Sequence, residues 1–339
     1  MSLITFTESG FYCEKADLYI DPWKPVKRAL ITHAHADHSR SGMNHYMAHL
    51  HSIPVMKHRL GDIDVQGVEY GETICVNGVN ITFYPAGHVP GSAQIKLEHK
   101  SESWVIMGDY KLGSDGVSTP FEPVKCSHLV TESTFGLPIY NWEPQDEVMN
   151  TINKWWAENA ASGVTSVMLG YAFGKAQRIL ANLDPSLGEI FVHGAIYHTN
   201  NALSEVGYKF PKTEYVTNET DKKRFRGAII LAPPSALGST WIRKFKPFKV
   251  ATASGWMALR GARRRRNVDK GFVLSDHADW TELNKAVTDS GAENIFVTHG
   301  YSNVFASWLK NKGLNAEVVK TAFEGELSEI GESTTAEPE

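Results

Sequence analysis

RALITHAHADHS, residues 28 to 39, carries an apolar strand pattern straight into His33, His35, Asp37 and His38. Side chains alternate faces along an extended chain, so His33 and His35 fall on one side, and Asp37 and His38 follow where the backbone turns. Three imidazoles and a carboxylate in six positions repel or desolvate one another unless a cation lies among them. Neutral imidazole and carboxylate are good ligands for zinc, and they also suit manganese and iron. The bland alternative is a polar loop with incidental histidines, and the complete pattern after a strand argues against it.

Two further segments share this design. His88 in YPAGHVPGSA follows a strand pattern between Gly87 and Gly91, and Asp109 in VIMGDY ends another beside Gly108; both are read as additional ligands. His45 and His49 stand four apart on an expected helix without the glutamate of a His-Glu-x-x-His motif, and are not counted.

The wider chain supplies the setting. Its 339 residues, 42% hydrophobic and 21% charged, suffice for a large core divided between two domains. Segments such as ITFTE, DLYID, IPVMK, VNITFYPA and SAQIKLEH read as strands of a sheet-rich first part. After Pro138 the rhythm changes. EPQDEVMNTINKWWAENA places Val148, Met149, Ile152, Trp155 and Trp156 on one helical face as core, and TSVMLG, EIFVHG, AIILAP and FKVATA then alternate with helical or loop segments as in a parallel α/β layer. No apolar run approaches a membrane span and no signal-peptide pattern opens the chain, so a cytoplasmic protein without membrane contact is expected. Cys13, Cys75 and Cys126 form no Cys-x-x-Cys pair and are expected as buried small hydrophobes.

Charge is distributed unevenly. The stretch after Phe323 holds six glutamates and no lysine or arginine, the composition of a solvated, flexible tail. From Arg243 to Lys270, ten lysines and arginines face the single acid Asp269, a candidate polyanion footprint that includes Arg260, Arg263, Arg264, Arg265 and Arg266. Gly174 and Lys175 in LGYAFGKAQRIL sit between strand and helix, where amides and Lys175 could hold a phosphate; an ordinary turn fits equally well.

Asp21 in LYIDP, the His33 to His38 cluster, His88 and Asp109, in that order, resemble the successive motifs of the metallo-β-lactamase superfamily. Glu132 in VTESTFG, His277 in LSDHADW and His299 in VTHGY resemble the added motifs of its β-CASP nuclease branch. The likeness runs over nearly the whole chain up to the acidic tail, and ASGWMALRGARRRR leading to GFVLSDHADW looks like the bacterial ligase-associated DNA exonucleases.

The resemblance implies an α/β protein with the four-layer αββα metallo-β-lactamase fold, formed by 1–138 and 271–323, with an inserted β-CASP α/β domain at 139–270 and the tail at 324–339. It implies two divalent metal ions, zinc first and manganese or iron otherwise. One would be held by His33, His35, His88 and Asp109, the other by Asp37, His38, Asp109 and His299, with Asp21 orienting a ligand. Catalysis would fall to His277, Glu132 and Asp37, and substrate binding to Lys175 and the arginines. The implied activity is hydrolysis of DNA phosphodiesters, as a 5′ to 3′ exonuclease in end processing or repair, with DNA ligase and helicase as partners.

An RNA-processing nuclease is the main rival, because histidine at position 299 is associated with RNA-acting members. A small-molecule hydrolase would leave Glu132, His277 and the basic segment without a role, and a non-catalytic binding module would be expected to lack some of the ligands.

Overall fold

A computed structural model describes residues 2–259, 261 and 268–322. The chain divides into two units: one comprises residues up to Ser114, Ser118–Asn141 and the chain from His277, the other Asp115–Val117 and Trp142–Asp276. Arg260, Arg263, Arg264, Arg265 and Arg266, and the tail 324–339, lie outside the described residues.

The first unit contains two sheets. One joins β1 (Thr5–Thr7), β2 (Gly10–Cys13), β3 (Leu18–Ile20), β4 (Arg28–Ile31), β5 (His45–His49) and β6 (Val65–Val68) in sequence order. The other uses β7 (Thr73–Val76), β8 (Val79–Pro85), β9 (Ala93–His99), β10 (Glu102–Ile106), β11 (His128–Ser133), β18 (Asn294–Gly300) and β19 (Asn315–Val318), in the order β19-β18-β11-β10-β9-β8-β7. Alternation along these strands sends Phe11, Leu18, Ile20 and Leu30 of the first sheet and Ile81, Phe83, Ile95, Leu97 and Trp104 of the second into one shared core. The opposite face of the second sheet, through Val105, Leu129, Ile295 and Val297, packs on Leu283, Ala286 and Val287 of helix Trp280–Ser290 and on Phe305 and Leu309 of helix Ser302–Asn311. β8, β10, β11 and β18 run in one direction, so residues just past their carboxyl ends gather at one sheet edge.

The second unit is a six-stranded, all-parallel sheet of β12 (Thr165–Leu169), β13 (Ile190–Val192), β14 (Glu214–Tyr215), β15 (Ile229–Ala232), β16 (Phe248–Ala253) and β17 (Lys270–Phe272), ordered β14-β13-β15-β12-β16-β17. Helix Gln145–Ala161 buries Val148, Met149, Ile152, Trp155 and Trp156 in this unit's core, so both tryptophans are packing residues.

Three local expectations are corrected. IPVMK begins helix Ile53–Leu60, because Pro54 fits the first turn, where its missing N–H costs nothing, and Gly61 ends the helix. His45 and His49 lie on strand β5, paired in parallel with β4 and β6, and not on a helix. Cys75 is exposed, since β7 is an edge strand with one face toward solvent, whereas Cys13 and Cys126 are buried. Among the described residues, no helix is long and apolar enough to cross a membrane.

Candidate metal centre

β4 ends at Ile31, and the next residue, Thr32, begins the site. Its carbonyl accepts the Ala93 N–H at 2.8 Å, which ties the ends of β4 and β9 together. Asp21, past the end of β3, has a φ of 42°, a left-handed backbone that costs a non-glycine residue energy. In that conformation its Oδ1 accepts the Thr32 N–H at 2.8 Å, and its Oδ2 accepts both the Thr32 hydroxyl at 2.5 Å and His38 Nδ1–H at 2.7 Å.

These bonds settle tautomers. The single Thr32 hydroxyl proton goes to Asp21, so Thr32 Oγ1 can only accept from His33 Nδ1–H, 3.1 Å away. The Thr298 hydroxyl likewise donates to the Thr131 carbonyl at 3.1 Å and faces His299 Nδ1 at 3.3 Å. Each of the three imidazoles therefore carries its proton on Nδ1 and turns an Nε2 lone pair toward Asp109.

Asp109 Oδ2 lies 3.5 Å from His33 Nε2, 3.6 Å from His38 Nε2 and 3.8 Å from His88 Nε2, while Oδ1 lies 3.1 Å from His299 Nε2. His35 Nδ1 is 3.1 Å from His33 Nε2 and 3.2 Å from His88 Nε2. Asp37 Oδ2 is 3.8 Å from His38 Nε2 and remains partly exposed. Ligand atoms about 2.0–2.1 Å from a tetrahedral cation are separated by roughly 3.4 Å, the range these contacts occupy. Lone pairs facing one another at that spacing repel unless a positive charge lies among them, so the donor set fits divalent metal. The ligand atoms of His33, His35, His88 and Asp109 all fall within 4.8 Å of one another.

Without a cation the cluster supplies the positive charge itself, by protonating His38 at Nε2. Burial, reinforced by the His38 charge, holds His33 well below the ordinary imidazole range. Burial opposes charge on His38 too, but the Asp109, Asp37 and Asp21 carboxylates outweigh it and raise that imidazole to about 10. Burial also opposes charge on Asp109, yet the positive potential of His38, His277 and His299 takes its carboxyl well below the usual range. Gly108 allows this convergence: at φ 58°, a Cβ there would stand 2.6 Å from Thr32 Oγ1.

Beside the cluster, both carboxylate oxygens of Glu132 lie 3.0 Å from His277 Nδ1. Glu132 Oε1 also accepts the Tyr110 N–H at 3.0 Å, and the carboxylate is buried. Burial alone would raise its pKa, but the adjacent His277 charge lowers it, so Glu132 is an anion that fixes the His277 proton on Nδ1. The His277 ring packs 4.7 Å from that of His88. An imidazole oriented in this way can exchange a proton at Nε2.

Asp21, His33, His35, Asp37, His38, His88, Asp109, Glu132, His277 and His299 thus converge. Lys175 belongs to the second unit. It is buried there, with its ammonium 2.5 Å from Asp276 Oδ1, and neighbouring Arg178 donates to the Ser275 carbonyl. The Lys175 ammonium is thus engaged by a carboxylate in this structure. Thr32, Thr298 and the Tyr110 amide were not read from the sequence, because a hydroxyl or amide that orients a ligand carries no spacing signal of its own.

The fold and site can be compared with known proteins. No family model matches the chain. It is 30% identical over 310 residues to a protein of Opitutus terrae named probable DNA ligase, an alignment covering 91% of this chain and 30% of that protein. It is 28% identical over 180 residues to endoribonuclease YSH1 of Gibberella zeae, covering 52% of this chain and 21% of the relative, and 27% identical over 171 residues to endoribonuclease YSH1 of Saccharomyces cerevisiae, covering 48% and 21%. The chain therefore spans less than a third of the length of these relatives. A crystal structure of a protein of unknown function from Enterococcus faecalis V583 shares the fold, with a TM-score of 0.58 at 11% identity over 80% of this chain and 74% of that one.

Proposed function

We propose that the chain is a metal-dependent phosphodiesterase of the metallo-β-lactamase superfamily, β-CASP branch, acting on nucleic acid, with DNA preferred to RNA and 5′ to 3′ exonuclease action in end processing. The first unit, expected from the sequence as 1–138 and 271–323, is assigned to the metallo-β-lactamase domain with its αββα layers, and the second, expected as 139–270, to the β-CASP insertion, with the boundaries moved to 141/142 and 276/277 because β17 pairs with β16. The observation that carries this reading is the Glu132–His277 pair set beside the Asp109-centred cluster. A hydrolase of neutral small molecules has little use for a separate, buried proton-transfer pair.

His33, His35, His88 and Asp109 would hold one divalent ion, and Asp37, His38, Asp109 and His299 a second. Bound ions supply Lewis acidity and neutralise charge developing on a phosphodiester. Asp21 and Thr32 keep the ligand imidazoles in the required tautomers. Glu132 accepts the His277 Nδ1–H and stabilises the protonated imidazole, whose second proton, on Nε2, passes to the departing sugar oxygen.

The Opitutus relative supports DNA end chemistry, because a region like this chain forms part of a protein named as a ligase. A DNA ligase, and with it a helicase, is therefore the partner class proposed. The RNA reading is favoured by the YSH1 likeness and by His299. End-labelled single-stranded DNA and RNA of one sequence, with defined 5′ ends, separate the two: progressive loss of the DNA from its 5′ end is expected, and internal cleavage confined to RNA would replace this proposal with the rival. His277→Ala is expected to slow cleavage roughly 10²- to 10⁴-fold while sparing bis-p-nitrophenyl phosphate, whose leaving group needs little protonation.

A further inference from the structure

The strand order of the second unit's parallel sheet marks a ligand position whose chemistry the metal centre does not use. β13 and β15 are neighbours, but the chain leaves β13 toward β14 on one side and leaves β15 toward β16 on the other. Connections that diverge from adjacent parallel strands open a crevice at their carboxyl ends, the usual ligand position in such sheets. His193 stands at the end of β13, and its ring packs 4.8 Å from Trp241, which lies in the connection after β15.

Two aromatic surfaces border this point. Tyr215, 37% exposed at the end of edge strand β14, stacks on Tyr197 with centroids 5.2 Å apart and planes at 17°. It also lies over Gly194, the residue after His193, where an added Cβ would come within 3.1 Å of its ring. On the other side, half-buried Trp241 carries Lys244 Nζ 5.3 Å from its centroid.

The charge here is positive. Lys222, Lys223, Arg243 and Lys246 are exposed nearby in sequence and structure, and the segments Lys222–Phe225 and Trp241–Phe245 touch. Of the local carboxylates, Glu189 and Glu214 are occupied by Arg224, and Asp221, just before Lys222, accepts the Lys223 N–H, which leaves Glu219 against the lysines and arginines of this segment. Among the described residues no carboxylate pairs with Lys222 or Lys244. Burial and the Lys222 charge lower the Lys244 pKa, the expected state of a lysine that lacks an anion.

We infer that this crevice, formed by His193, Tyr197, Tyr215, Trp241, Lys244 and Lys222, is an accessory docking surface for single-stranded nucleic acid, with bases stacked on the aromatic rings and phosphates against the two lysines. Aromatic faces accept any base and lysines track the backbone, so the surface binds without sequence preference. This inference rests on the nucleic-acid reading of the chain and adds to it a place on the second unit where strand is held.

The test uses the full-length protein and a fluorescein-labelled, phosphorothioate-linked dodecathymidylate, which resists cleavage, titrated across a salt series. Lys222→Glu with Lys244→Glu is expected to weaken binding and to flatten the slope of log affinity against log salt by about 1.4, the value for two phosphate contacts on a single strand. Tyr215→Ala is expected to weaken binding roughly 5- to 150-fold. Unchanged affinity and parallel slopes in both variants would overturn the inference. So would equal affinity for thymidine monophosphate, because a strand site must bind the oligomer more tightly. Photocrosslinking of wild-type protein to a 4-thiothymidine oligomer serves where a variant misfolds: adducts on Tyr197, Tyr215 or Trp241 are expected, and adducts exclusively elsewhere would refute it. If wild-type protein cleaves nucleic acid but fails these tests, the docking surface alone falls; if it neither binds nor cleaves any oligonucleotide, the nuclease reading falls first.

Discussion

Asp21→Asn isolates the device that prepares the metal ligands. Asparagine tolerates the left-handed backbone at φ 42°, so the substitution changes hydrogen bonding with little added strain. Its amide oxygen can keep the Thr32 N–H, but its NH₂ group then faces Thr32 Oγ1 and His38 Nδ1, where Oδ2 had accepted two protons at 2.5 and 2.7 Å. His38 Nδ1 must now accept, which moves its proton to Nε2 and removes the lone pair aimed at Asp109. The Thr32 hydroxyl also loses its acceptor, so the orientation it gives His33 is weakened. Loss of such supporting contacts lowers metal affinity roughly 10- to 100-fold, equivalent to about 1.4–2.8 kcal/mol. Competition against a chromophoric chelator measures the affinity, and circular dichroism of the metal-free protein checks the fold. Affinity within twofold of wild type, with the fold intact, would show that Asp21 does not set the His38 tautomer.

Other expectations follow from single features. Lys175→Met breaks the buried Lys175–Asp276 ion pair and is expected to cost about 3–5 kcal/mol in urea unfolding; unchanged stability with weakened nucleic-acid binding would favour the phosphate role. In metal-free protein the His38 pKa, raised to about 10 from an unfolded value near 6.5, contributes stability that is complete below the unfolded value and lost as pH rises through the folded one. The melting-temperature gap between wild type and His38→Gln is therefore expected to shrink from pH 6 to pH 10, and a gap that widens would contradict this. A thiol reagent is expected to label one cysteine per native chain, because Cys75 is exposed while Cys13 and Cys126 are buried with thiol pKa values pushed up by that burial; rapid labelling of Cys126 before unfolding would contradict the core packing.

Residues that concentrate one chemistry at strand ends were the most legible in the sequence. The His33 to His38 cluster, His88 and Asp109 come from distant segments yet each follows a recognisable strand, and His299 sits at the end of β18, so parallel strands bring them to one edge. Helix Gln145–Ala161 was equally clear, because its period of apolar residues extends over 17 residues. Shorter segments were less so. IPVMK and the His45–His49 segment are each too short for periodicity to separate strand from helix, and tertiary pairing decided both. Lys175 is ambiguous for a different reason: glycine followed by lysine at a helix start looks the same whether the ammonium meets a phosphate or an internal carboxylate, and Asp276 is 101 residues away.

Metal reconstitution tests the central claim most directly. Chelator-stripped protein, titrated with zinc or manganese while 5′-labelled single-stranded DNA is present, is expected to bind two ions per chain and to regain cleavage as they bind, with Asp109→Ala losing both properties because its carboxylate faces both sets of ligands. Cleavage that persists undiminished in stripped protein, or two ions bound to wild type with no hydrolysis of either DNA or RNA, would contradict it.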